Sequence, residues 1–138
     1  MTVEEKFLDF AKAHNLPFRE SDADGQKVFS FVISGTNGKY AGHALCLENE
    51  RLFVFFIDFS LHVRKENLPE AAQRLMDINY NLKMGNFQMD SQNGLVIVRT
   101  CQGVYGTEEE QIGVIERSVL TAGMIADKYK DRLLREFS

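Results

Sequence analysis

The chain has 138 residues, 44% hydrophobic and 26% charged, an ordinary globular composition that argues against disorder or low complexity and sets one domain over residues 1–138 as the expectation. A formal net charge of -4 and a pI near 5.4 give no support to a phosphate-binding surface, so no nucleic-acid partner is expected. Glu4, Glu5, Lys6 and Asp9 interrupt any apolar leader, and no segment approaches the roughly 18 consecutive apolar residues of a membrane span; a cytoplasmic protein with no membrane partner is predicted. Cys46 and Cys101 are too few for a disulfide scaffold, and their apolar, strand-like contexts predict buried thiols.

Thr2 followed by Glu5 forms a capping-box pattern, and Val3, Phe7, Phe10, Ala11 and His14 recur at helical spacing to about Asn15, before Pro17. Phe18 to Ser21 reads as a short extended piece, Asp22-Ala23-Asp24-Gly25 as a turn, and Gln26 to Ile33 as a strand rich in β-branched and aromatic residues. Ser34 to Gly38 is a polar loop, Lys39 to Leu47 a third extended run, Glu48-Asn49-Glu50 a tight connection and Arg51 to Ser60 a fourth strand, all joined as antiparallel hairpins. The spacing of Leu68, Ala71, Ala72, Leu75, Ile78, Asn79 and Leu82 predicts a second helix over Leu68 to Met84, with Asn67 as N-cap and Gly85 as its stop. Asn86 to Gln102 reads as a hairpin about the turn Ser91-Gln92-Asn93-Gly94. Thr107 and Glu110 then repeat the capping box ahead of a long helix carrying Ile112, Ile115, Val119, Ala122, Ala126, Tyr129 and Leu133, in which Gly123 permits close approach of another backbone. Strands and helices segregate, which predicts an α+β fold with one antiparallel sheet of about five to six strands and helices packed on it.

The fourth strand is apolar on both sides. Alternation places Phe53, Phe55, Ile57 and Phe59 on one face and Leu52, Val54 and Phe56 on the other, and the second strand sets Phe29, Phe31 and Ile33 against Val28 and Val32. Antiparallel sheets in small monomers usually keep one face wet. The first and third helices can cover one face; the other requires the second helix, another subunit or a bound partner. Phe29, Phe31, Phe53, Phe55 and Phe59 are therefore the residues expected in core or partner contact. If a partner uses them, Phe55→Asp abolishes binding and spares folding; collapse of the fold returns them to the core.

No constellation carries recognisable chemistry, so no catalytic residue, metal ligand or cofactor is expected. His43 and Cys46 have metal-pair spacing, but positions i and i+3 of a strand point to opposite faces. Gly35, Gly38 and Lys39 share residue types with a phosphate loop without its spacing. His14 reads as a helix end and His62 as part of a solvated loop with Arg64 and Lys65, before the second helix. Glu108, Glu109 and Glu110 read as helix-start residues, the cations near the C-terminus as dipole partners, and Asp58 as a hydrated strand-end carboxylate.

Ile78-Asn79, Leu82, Gly85-Asn86-Phe87, Met89-Asp90 and Gly94, followed by an apolar strand through Arg99-Thr100, resemble the YbjN family of sensory transduction regulators, well over about Leu68 to Tyr105. The resemblance implies a fold similar to type III secretion chaperones, frequently homodimeric and binding extended protein segments, with no established catalytic residues. Leu95-Val96-Ile97-Val98 is more apolar than the family pattern, which implies a different partner surface. The expected function is a non-enzymatic protein-binding module, chaperone-like or regulatory, whose partner is a protein segment or a second copy. The alternative is a regulator sensing a small ligand in a pocket between sheet and helices, with inward polar groups such as His43.

Overall fold

One antiparallel sheet underlies the whole of the computed structural model, which describes residues 1–138. Its six strands are β1 (Arg19–Ala23), β2 (Gln26–Gly35), β3 (Gly38–Leu47), β4 (Leu52–His62), β5 (Asn86–Met89) and β6 (Leu95–Gly103), in the order β1-β2-β3-β4-β6-β5. With α1 (Val3–Ala13), α2 (Leu68–Tyr80) and α3 (Glu108–Phe137) they form an α+β fold in the predicted element order. No helix is long and apolar enough to cross a membrane.

Local signals explain most boundaries. Both predicted capping boxes form: Thr2 Oγ1 accepts from the Glu5 amide at 3.0 Å, and Thr107 Oγ1 accepts from the Glu110 amide at 3.2 Å. Asn15 closes α1 in the left-handed region at φ 49, two residues before Pro17, while the Leu16 amide reaches back to the Ala11 carbonyl at 2.8 Å. The first hairpin turns on Asp24-Gly25 alone, with φ of 52 and 83, so Asp22 and Ala23 belong to β1 rather than to the turn. Likewise Gly35 pairs with Gly38, and Ser34 and Gly38 lie within strands that the sequence read as loop.

Two boundaries differ more. α2 stops at Tyr80, capped by Asn81, rather than at Met84, and Asn67 makes no side-chain cap because it ends a 3-10 turn over Lys65–Asn67 that feeds the helix. Gly85 does not stop the helix; at φ +80 it starts the approach to β5, where a Cβ would press on Thr100, Ile125 and the Arg99 carbonyl at 3.1–3.3 Å. β4 continues past Ser60 through a bulge: it runs from Asp58 to His62 while β6 runs only from Ile97 to Leu95. Ser60 takes φ 56 there, and Asp58 Oδ1 accepts from its amide at 2.7 Å. Asp58 thus fixes a bulge instead of sitting hydrated at a frayed end. His62 is the last residue of β4 and not part of a loop, with Nδ1 3.2 Å from the Asn93 carbonyl.

All three helices lie on one face of the sheet. The Phe7 ring of α1 lies 5.0 Å from Phe29, 5.9 Å from Phe31 and 5.8 Å from Phe53. Tyr129 of α3 meets Phe87 edge-on at 5.7 Å, and Thr100 Oγ1 donates to the Ser118 carbonyl at 3.1 Å. Phe29, Phe53, Phe55, Val98, Thr100 and Phe87 share that face by register. α2 joins from the β5 side, with Ala71, Leu75 and Ile78 in the same core and Arg74 paired to Glu136 of α3 at 3.0 Å.

Asn79 ties α2 to the sheet edge. Its Nδ2 donates to the Phe87 carbonyl at 3.0 Å and its Oδ1 accepts from the Phe87 amide at 2.7 Å, so the side chain serves β5 as a neighbouring strand would. Asn79→Ala should therefore cost about 1–3 kcal/mol in urea unfolding, through two backbone groups left without partners. Asn79→Asp should fare no better, since a carboxylate cannot donate to the carbonyl. A variant as stable as the parent would show that packing alone holds the edge.

Candidate protein-binding surface

Strand alternation gives the sheet two unlike faces. Under the helices, Phe29, Phe53 and Phe55 are 0% exposed, with Phe31 and Phe59 nearly so. Phe31 and Phe55 stack at 5.3 Å, as do Phe59 and Phe87 at 5.8 Å. All five phenylalanines expected in core or partner contact are thus packed against elements of their own chain.

The opposite face carries no helix, because α2 sits beside α3 instead of crossing to the second side. Its residues follow from the register: Leu47 beside Leu52; Leu45, Val54 and Cys101 in line across β3, β4 and β6; then Ser30, His43, Phe56, Arg99 and Asn86; then Ala41, Asp58, Ile97 and Gln88. Val54 is buried yet lies outside the main core, flanked by these sheet neighbours. Val32, in line with Ala41, is 58% exposed. The two sheet edges are protected differently. β1 is exposed throughout and carries Arg19, Glu20 and Asp22, charges that discourage strand addition, while Asn79 occupies the outer backbone of β5.

Titratable groups on and near this face are few. His43 Nδ1 lies 2.8 Å from Ser30 Oγ, and burial holds the imidazole below its usual pKa against the opposing field of Asp58. His43 therefore points away from the helices and lines no pocket beneath them, contrary to the small-ligand expectation. Cys46 is buried on the helix side, where burial pushes its thiol up to about 12. Cys101, expected to be buried, is exposed on the open face; periodicity placed it on the Val54 side without revealing that no helix lies there. The Arg99 guanidinium has no hydrogen bond or ion pair within the chain.

A concavity lies on the helix side, where the β2–β3 hairpin meets α3. It measures about 260 Å³ and is lined by Ile33, Tyr40, Val119, Leu120, Gly123, Met124 and Asp127 among others. Leu120 is 55% and Met124 73% exposed at its rim. Gly123 accommodates a side chain rather than another backbone: a Cβ there would stand 3.1 Å from Ile33 Cδ1. Asp127 anchors the hairpin, accepting from the Asn37 amide at 2.8 Å, the Thr36 amide at 3.0 Å and the Tyr40 hydroxyl at 2.6 Å. The Tyr40 bond, then the Asn37 amide, hold its carboxyl below the usual aspartate range, while burial and then Asp127 hold the Tyr40 phenol up. Nothing local marks this clamp, whose partners are 87–91 residues apart.

Asp127→Asn should lower Tm by several degrees at neutral pH, because an amide cannot accept from both turn amides. A carboxyl whose pKa falls on folding stabilises above its unfolded pKa and loses that contribution as pH drops through the folded one. The gap between parent and variant should therefore be full at neutral pH and shrink below the usual carboxylate range. A gap independent of pH would mean that Asp127 acts by shape alone.

A family model named YbjN, described as "Putative bacterial sensory transduction regulator", matches residues 5–134. The chain belongs to the YbjN family. No curated protein matches it in sequence. Among solved structures, this YbjN-family chain is similar to that of the ExsC–ExsE complex, at 17% identity and TM-score 0.62, covering 95% of this chain and 94% of that one. YbjN from E. coli is similar at 13% identity and TM-score 0.63, with 94% and 92% covered. The HopA1–SchA chaperone–effector complex gives 13% identity and TM-score 0.61, with 94% covered in each. At such identities the likeness is one of fold, and the fold is that of type III secretion chaperones, as expected.

Proposed function

We propose that this YbjN-family chain is a protein-binding regulatory module, without catalysis of its own, whose working surface is the uncovered sheet face. One observation carries the reading: α1, α2 and α3 share one side of the sheet, leaving Leu45, Phe56 and Ile97 half-buried on the other, around a buried Val54. Charges on β1 and Asn79 on β5 guard the edges, which directs a partner to the face. Proteins of the same fold have been solved with protein partners, ExsC with ExsE and SchA with the effector HopA1; that likeness supports the class of role by analogy. Two free cysteines fit a reducing, cytoplasmic setting.

The test is affinity capture from the native host with the parent and with Phe56→Glu, which places a charge on the open face outside the helix-side core. A stoichiometric protein retained by the parent, and lost by a variant of unchanged Tm, supports the reading. Equal retention by both removes the face from the role. The hairpin–α3 concavity favours a second reading, a small-ligand regulator. A metabolite that raises the Tm of the parent but not of Gly123→Val, which fills that space, would support it; a screen without a stabilising metabolite counts against it.

A further inference from the structure

α3 is amphipathic, with Ile115, Val119, Ala122, Ala126 and Tyr129 buried in the core, so its outward positions should be polar. Leu120 and Met124 break that pattern. They stand one turn apart on the exposed side, at the rim of the 260 Å³ concavity that Ile33, Val119 and Gly123 also line. Single exposed apolar residues are ordinary; a pair bordering an apolar depression marks a binding site. Charge frames the pair. Arg117 precedes Leu120 by three residues and Lys128 follows Met124 by four, spacings that set each beside it on the helix surface. Both cations are exposed and form no ion pair within a chain whose net charge is -4. The Asp127 carboxylate at the rim is spent on the hairpin, accepting from the Thr36 and Asn37 amides and the Tyr40 hydroxyl. Asp131 lies a turn beyond Lys128 and is followed by Arg135, so the stripe stays basic.

We infer that this stripe of α3 is a docking site for an acidic amphipathic helix of another protein, which seats one large apolar side chain in the concavity and sets carboxylates beside Arg117 and Lys128. The site lies across the sheet from the uncovered face and stands whether or not that face is used. Its size separates a side chain from a free metabolite: pockets for small molecules run from about 300 to 1,000 Å³ and enclose most of the ligand, whereas this one is smaller and its rim is exposed. The backbone of α3 is committed to its own hydrogen bonds, so a partner meets side chains alone and must bring its own backbone satisfied, as a helix does. A bilayer has no use for the depression, and two apolar side chains bury too little area to hold a helix in one.

Random peptides long enough for several helical turns, displayed on phage, are selected on the parent chain. Enriched sequences should place Asp or Glu at helical spacing around one Leu, Met, Phe or Trp, and dye-labelled synthetic copies should bind the parent in fluorescence anisotropy, more weakly as salt rises. Met124→Glu, a change at an exposed position, should weaken binding by about tenfold or more at unchanged Tm, as should Arg117→Glu with Lys128→Glu. Phe56→Glu should bind as the parent does, which separates this site from the sheet face. Enriched peptides that are not acidic, or that bind Met124→Glu as well as the parent, overturn the inference; so do peptides lost only with Phe56→Glu, which place binding on the sheet face. A selection that enriches nothing overturns it as well, and a stabilising metabolite found in that case gives the concavity to the small-ligand reading. Flotation of the parent, but not of Met124→Glu, with vesicles of anionic phospholipid overturns it in favour of a membrane surface.

Discussion

Phe55→Asp should yield a chain with no cooperative unfolding transition in urea, and Phe55→Ala should lose about 3–5 kcal/mol of a total in the range of about 5–15 kcal/mol. Phe55 is 0% exposed, stacks on Phe31 at 5.3 Å, and lies over Gly42, where a Cβ would come within 2.5 Å of its ring. Truncation to alanine leaves a cavity in the middle of the aromatic layer. The aspartate adds a carboxylate opposite Thr100, whose hydroxyl already donates to the Ser118 and Phe55 carbonyls, so its burial costs further free energy or forces its protonation. Circular dichroism and a denaturant titration would check both. A folded Phe55→Asp protein that had lost only its partner would make this ring a binding residue and refute the assignment of the helix-covered face as core.

Gly94→Ala is expected to be the most damaging of the glycine substitutions. Gly94 closes the β5–β6 turn at φ +75, a region that costs a non-glycine residue about 1–2 kcal/mol. The greater obstacle is steric: a Cβ there would stand 2.1 Å from the Val63 carbonyl oxygen and 2.8 Å from its nitrogen. That nitrogen donates to the Gly94 carbonyl at 2.9 Å, joining the hairpin to the end of β4, so relief of the clash breaks the bond. The urea midpoint should fall by more than the left-handed penalty alone explains. Gly113→Ala supplies the control: no atom lies within 4 Å of a Cβ in that turn of α3, so it should gain about 1 kcal/mol of helix propensity. Equal effects at the two positions would mean that Val63 yields freely.

Much of this fold is legible because its signals are local. Thr2 with Glu5 and Thr107 with Glu110 announce both helix starts, and period-two alternation in β2 and β4 marks the sheet with its two apolar faces. What escaped depends on pairing across the chain. The helical spacing of α2 runs on to Leu82, although Gly85 is required to be left-handed by the path into β5. The β4 bulge exists only relative to β6, so Asp58 and His62 looked like an end and a loop. The Asp127 clamp joins α3 to a distant hairpin. Alternation sorted Cys101 and His43 onto a face, but which face the helices cover is a property of packing; that fact turned an expected buried thiol into an exposed one and moved His43 away from any helix-side pocket.

The two cysteines permit the most direct measurement of the uncovered face. Cys101 lies on it beside Val54, exposed, while Cys46 lies buried on the helix side. Maleimide labelling should modify Cys101 readily in dilute free chain and leave Cys46 untouched. As a captured partner is added, labelling of Cys101 should slow in step with complex formation. Unchanged labelling of Cys101 in a fully formed complex would contradict the account, because the partner would then sit somewhere other than the open face of the sheet.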